Sequence, residues 1–153
     1  MRLERLLPGL AAIVVLGACG GGQDEPAPAC AGDEPSRTAT YVNEDVAFAA
    51  PAGAELQSDR FDGPLPRFAK FGLHVRGEGT VVVRVPSGQR VRIVGWGGAA
   101  DDAREAALVE TASACWTAYP GGLAFAGPQC VRVQVEGPGE QRGSARFGLR
   151  RDC

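Results

Sequence analysis

The sequence predicts an all-β protein: a single antiparallel β-sandwich, or a sandwich-like barrel, with at most one short helix and with disulfide staples. Three observations predict it. Apolar residues recur at every second position in segments spread between residues 45 and 136, the spacing of half-buried strands. Turn signals separate these segments at short intervals: Gly77-Glu78-Gly79, Pro86-Ser87-Gly88, Pro120-Gly121-Gly122, Gly127-Pro128 and Gly137-Pro138-Gly139. An even set of cysteines, Cys30, Cys115, Cys130 and Cys153, brackets the same region.

The chain opens with Arg2 and Arg5, then an apolar run from Leu6 to Val15, then Leu16-Gly17-Ala18-Cys19. A spanning helix needs roughly 20 apolar residues, and this run ends sooner, before Gly20-Gly21-Gly22. The order of positive start, apolar run and small residues is that of an export signal. Leu16-Gly17-Ala18-Cys19 resembles the lipobox of bacterial lipoproteins. The resemblance covers residues 1–19 and implies that residues 1–18 are a signal peptide. It further implies that Cys19 becomes the first mature residue and carries a diacylglyceryl group, often with a third chain on its amine. The partner would then be a membrane, held through the Cys19 lipid on its extracytoplasmic face, periplasmic or cell-surface. One acyl chain holds marginally and two hold stably, so a lipidated Cys19 suffices as an anchor. The alternative is an ordinary secretory signal cleaved after Ala18, leaving Cys19 unmodified.

Residues 19–37 read as the lipidated cysteine and a flexible tether: glycines, then an acidic stretch with Pro26, Pro28 and Pro35 and too few large apolar residues to fold. Residues 38–153 are the sandwich domain, a length that forms one domain with a modest core. In an exported chain the four remaining cysteines imply two disulfides. Three pairings are open. Cys115 with Cys130 and Cys30 with Cys153 is preferred, closing one short loop and tying the domain's two ends together.

The strands follow in order. Residues 45–49 alternate. Ala69, Phe71, Leu73 and Val75 form one face, with Lys70, His74 and Arg76 on the other. Val81, Val83 and Val85 oppose Thr80, Val82 and Arg84, and Val91 and Ile93 oppose Arg90 and Arg92. If these last two strands form a hairpin, the valines share a face only across an odd-length loop, Ser87-Gly88-Gln89. Residues 102–112 read as the one helix, with Asp102 and Glu105 as a capping box. Val131, Val133 and Val135 oppose Arg132, Gln134 and Glu136.

Composition excludes more than it assigns. The chain has 16 Lys plus Arg against 18 Asp plus Glu, and loss of residues 1–18 leaves a net charge of about −3. No nucleic-acid footprint results. Zinc ligation would need clustered cysteines or histidines, and the chain has no CxxC and one histidine, His74. Asp101, Asp102 and Glu105 lack the spacing of a calcium loop. No nucleophile motif accompanies His74, whose strand position points it outward as a surface residue. No cofactor is expected, and no enzymatic activity.

The candidate binding face is built from Arg76, Arg84, Arg90 and Arg92, outward on consecutive strands, with Trp96 at its edge among Gly95, Gly97 and Gly98. Trp116, next to Cys115, reads as a core residue. The expectation is a non-enzymatic envelope binding or interaction module that takes an anionic envelope component or protein through this face. The alternatives are a carbohydrate-binding module stacking a glycan on Trp96 and Tyr119, and an envelope hydrolase.

Overall fold

The computed structural model describes residues 30, 32–63, 65–98, 105–137 and 141–153. Eleven strands are present among them: β1 (Thr40–Tyr41), β2 (Val46–Phe48), β3 (Glu55–Leu56), β4 (Asp59–Arg60), β5 (Arg67–Lys70), β6 (Leu73–Arg84), β7 (Val91–Val94), β8 (Glu105–Tyr119), β9 (Gly122–Phe125), β10 (Gln129–Glu136) and β11 (Arg142–Leu149). A single 3-10 turn covers Trp96–Gly98. The expected all-β, two-sheet architecture is observed, and it is not a closed barrel. Seven strands form the larger sheet in the order β1-β2-β6-β10-β11-β3, with β8 along the other edge of β6; four form the smaller sheet in the order β4-β5-β9-β7. All pairings are antiparallel except the short β11–β3 contact.

The long strand β6 organises the larger sheet. On one edge its start pairs with β2 and its end with β10; on the other it pairs with β8 from Leu73 to Arg84. The segment Gly77-Glu78-Gly79, which reads as a turn, lies inside this strand. The β6–β8 register shifts on either side of Gly77 and Gly79, whose φ angles are 94° and 129°. Glycine reaches such angles without steric cost, so the residues that signal a turn here accommodate bulges in a continuing strand.

Two expectations about neighbouring strands are corrected. Val83 and Val91 do not form a hairpin: both edges of β6 near Arg84 are already taken by β8 and β10, so β7 pairs with β9 in the other sheet. Val85 and Val91 are both buried, meeting through the core and not through a ladder. Gln89 bonds the exposed edge of β10 in a strand's place, accepting from the Arg132 N–H at 2.9 Å and donating to the Arg132 carbonyl at 3.2 Å. The helix over 102–112 is absent where it can be judged. Residues 105–112 belong to β8, and 102–104 lie outside the described residues. Pairing with β6 overrides the local helical preference of an alanine-rich stretch.

The core contains the alternating set read from the sequence: Val46, Phe48, Leu73, Val75, Val81, Val83, Val131, Val133 and Val135 from one sheet, and Ala69, Val91 and Ile93 from the other, where Leu123 and Phe125 of β9 join them. Phe147 and Leu149 of β11 complete it. Its centre is aromatic. Phe48 packs on Trp96 and Phe147, each at 5.3 Å between centroids, and Phe71 on the same two rings, each at 5.1 Å. Trp96 is fully buried and donates from Nε1 to the Phe71 carbonyl at 3.1 Å. Its ring lies so close to Gly121 that a β-carbon there would collide with Trp96 Cδ1 and the Trp96 backbone N.

All four cysteines are in disulfides, in a different pairing from the preferred one: Cys30–Cys115 and Cys130–Cys153. Cys115 lies on β8 and Cys130 on β10, on opposite edges of β6, so they are not neighbours. Leu149 pairs with Gln129 in the β10–β11 hairpin, which delivers the last residues beside Cys130. Cys30 is joined to β8 through Cys115.

Two measurements check this core. Trp96→Ala should cost about 3–5 kcal/mol in urea unfolding, because it leaves a ring-sized void and an unpaired Phe71 carbonyl. Replacing Cys130 and Cys153 together by serine should cost about 3.5 kcal/mol, and Cys30 with Cys115 about 4.5 kcal/mol, in the order of the loops they close.

Candidate functional site

Alternation along β6, β10 and β11 puts the apolar residues into the core and sends the charged ones to the opposite side. The register then sets which charges meet. Gln134 lies between Arg84 and Ser144, Glu136 faces Arg142, and Arg132 faces Arg146. Arg84, Arg132, Gln134, Val135, Glu136, Arg142, Gly143 and Ser144 line a shallow depression of about 490 Å³.

Glu136 is the one carboxylate lining it. Its Oε2 accepts from Arg84 Nη1 at 3.2 Å and its Oε1 from Arg142 Nη2 at 3.4 Å. The hydrogen bond from Arg84, and then the positive charge of Arg142, hold its carboxyl below the ordinary glutamate value of 4.5, against the opposing effect of desolvation. Glu136 is therefore ionised at neutral pH and fixes two guanidinium groups. Arg132 and Arg146, directly opposed, have no carboxylate partner among the described residues. Like charges so placed repel across the strands. The surface thus carries four guanidiniums and one carboxylate, with the Ser144 hydroxyl and Gln134 amide between them as neutral hydrogen-bonding groups.

The expected site residues are not brought together. Arg76 is on the outer face of β6, bonded through Nε to Asp45 Oδ1 at 3.0 Å and stacked 5.0 Å above the Trp116 ring. Arg84 belongs to the surface just described. Arg92 projects from the outer face of the smaller sheet, opposite Ala124. Arg90 lies on the connection into that sheet and lines a separate depression with Gly88 and Gln129. The proposed continuous face of Arg76, Arg84, Arg90 and Arg92 is therefore corrected: β6 and β7 lie in opposite sheets, so their outward directions diverge. Trp96 is corrected from an exposed edge ring to the buried centre of the core, and offers no face to a glycan.

The other aromatic expectation reverses as well. Trp116 is half-buried on the outside, between Arg76 and the exposed Tyr41, whose ring meets it edge-on at 6.1 Å. Tyr119 packs against the core. His74 faces outward as expected and is half-buried; its Nδ1 lies 2.8 Å from the Asp33 carbonyl oxygen. Among the described residues no group of three or more His, Cys, Asp and Glu side chains could hold a metal ion. Arg132, Gln134 and Glu136 were read as outward strand positions and not as a site, and the residues overlooked in the sequence are Arg142, Arg146 and Ser144. Their signal is legible in retrospect, because Ala145, Phe147 and Leu149 alternate as a strand's inner face.

Comparison with protein-family models, with curated proteins and with solved structures found no match to the chain.

The ion-pair arrangement makes its own test. The Glu136 contribution to stability is present above the unfolded value of 4.5 and is lost as pH falls through the lowered folded value. A carboxyl NMR titration should place Glu136 below 4.5, and Arg84→Gln should move it back toward 4.5.

Proposed function

We propose that the protein is a lipid-tethered, non-enzymatic binding module of the bacterial envelope that engages an anionic partner through the outer face of β6, β10 and β11. One observation carries the binding surface: a chain with a formal net charge of −2 gathers Arg84, Arg132, Arg142 and Arg146 around one carboxylate, and leaves Arg132 opposed to Arg146. An anionic partner relieves that repulsion, and bidentate guanidiniums suit carboxylate or phosphate groups. Gln134 and Ser144 supply hydrogen bonds suited to an uncharged part of the same partner. The tether rests on the lipobox resemblance of Leu16-Gly17-Ala18-Cys19. Among the described residues no helix is long and apolar enough to cross a membrane.

The binding proposal is tested by Arg132→Gln with Arg146→Gln. Recovery of an envelope partner at low salt should fall at least about tenfold, corresponding to roughly 1.4 kcal/mol, with the melting temperature unchanged or slightly raised, because both side chains are exposed and their mutual repulsion is removed. Recovery should also decline as salt is raised. Recovery that ignores both the substitutions and the salt overturns the proposal and favours stacking of a glycan at Tyr41. Intact mass of membrane-extracted protein tests the anchor: an acylated chain beginning at Cys19 supports it, and an unmodified Cys19 refutes it.

A further inference from the structure

A second arginine cluster lies where the two sheets come together at one end of the sandwich, and none of its residues belongs to the surface proposed above. Arg60, Arg67 and Arg150, with Pro66 and Ala126, line a depression of about 410 Å³. Three elements supply the three guanidiniums. Arg60 ends β4, Arg67 begins β5, and Arg150 directly follows β11. Arg60 and Arg67 are directly opposed in the β4–β5 ladder, so their like charges face one another. None of the three forms an ion pair among the described residues, and no carboxylate lines the depression.

The backbone around Arg150 is unusual in the same place. Among the described residues Arg150 is the one non-glycine residue with positive φ, at 56°. An L-residue in this region is disfavoured, and such strain persists only where the surroundings impose it. Here they are identifiable. The Cys130–Cys153 disulfide and the Cys153 N–H to Gly53 carbonyl bond, at 2.6 Å, hold the chain after Leu149 in a tight reversal. The Arg151 carbonyl comes so close to Gly148 that no β-carbon fits there. On the other side, the Phe61 N–H donates to the Pro66 carbonyl at 3.0 Å and closes the turn that presents Arg60 and Arg67. The three side chains are thus carried on a framework fixed before any ligand arrives.

We propose that this depression is a binding site for a phosphomonoester. Three uncompensated guanidiniums, approaching from separate elements, match a tetrahedral dianion that offers several oxygens better than a carboxylate with two. The volume leaves room for a small substituent beyond the phosphoryl group. The site is independent of the β6-β10-β11 surface and stands or falls without it.

The test is calorimetric titration of the full, oxidised chain with inorganic phosphate and with glycerol 1-phosphate, against sodium chloride at matched ionic strength. Saturable one-to-one binding of both phosphates is expected. Arg67→Gln should weaken it about tenfold or more. Arg150→Gly should weaken it similarly while leaving the melting temperature unchanged or raised, because glycine adopts the left-handed conformation without strain. Phosphate heats indistinguishable from those of chloride, or binding that survives both substitutions, would overturn the proposal. Cosedimentation with phosphatidic acid vesicles that Arg67→Gln abolishes and Arg132→Gln does not identifies the source as a lipid headgroup. Soluble binding without cosedimentation identifies a free phosphomonoester.

Discussion

The arrangement of this protein depends on β6 being hydrogen-bonded along both edges. A strand with one free edge would have accepted its sequence neighbour, β7, as a hairpin partner. With β8 on one side and β2 and β10 on the other, no edge is left, and the chain after Arg84 has to leave the sheet. It crosses the core and founds the second layer with β9 and β5. That crossing creates the sandwich, and it also sends the outward side chains of β6 and β7 in opposite directions.

The interior then decides what the surface can offer. Trp96 follows β7 after one glycine and is drawn into the gap between the sheets, where it packs on Phe48 and Phe71, which in turn pack on Phe147. Burying so large a ring with its N–H satisfied is more favourable than exposing it in a glycine-rich loop. The large sheet is left with charged outward positions, and its register makes them into an ordered set: Glu136 gathers Arg84 and Arg142, while Arg132 and Arg146 face each other unpaired. The first arginine cluster follows from strand pairing, since the ladders place Arg84 beside residues distant in sequence, whereas the second joins the β4–β5 ladder pair to Arg150 on the reversal after β11.

Much of the fold was legible because burial has a period of two. The alternation of Val81, Val83, Val131, Val133 and Val135 identified both strands and inward faces, and the cysteine parity identified two disulfides. What alternation does not encode is which strand lies beside which. The hairpin expected between Val83 and Val91, and the pairing of Cys115 with Cys130, both assumed that neighbours in sequence are neighbours in space. Gly77 and Gly79 carry the residue signature of a turn but serve as bulges, because the positive φ they permit is common to both structures. The helix over 102–112 was argued from local preference, which pairing with β6 outweighs. Of the candidate site, Arg132, Gln134 and Glu136 were read only as outward strand positions and Arg84 alone was assigned to a binding face, since Arg132, Arg142 and Arg146 become a surface only through the β10–β11 register.

The Cys30–Cys115 cross-link also has a mechanical meaning. Without it, tension on the chain ahead of Cys30 would reach the domain at β1, a two-residue strand that peels one bond at a time. The cross-link diverts that load into β8, whose ladder with β6 extends from Leu73 to Arg84. Force applied through the leading segment is therefore borne by many bonds together, and the body can be pulled from that side without unravelling from its weakest edge.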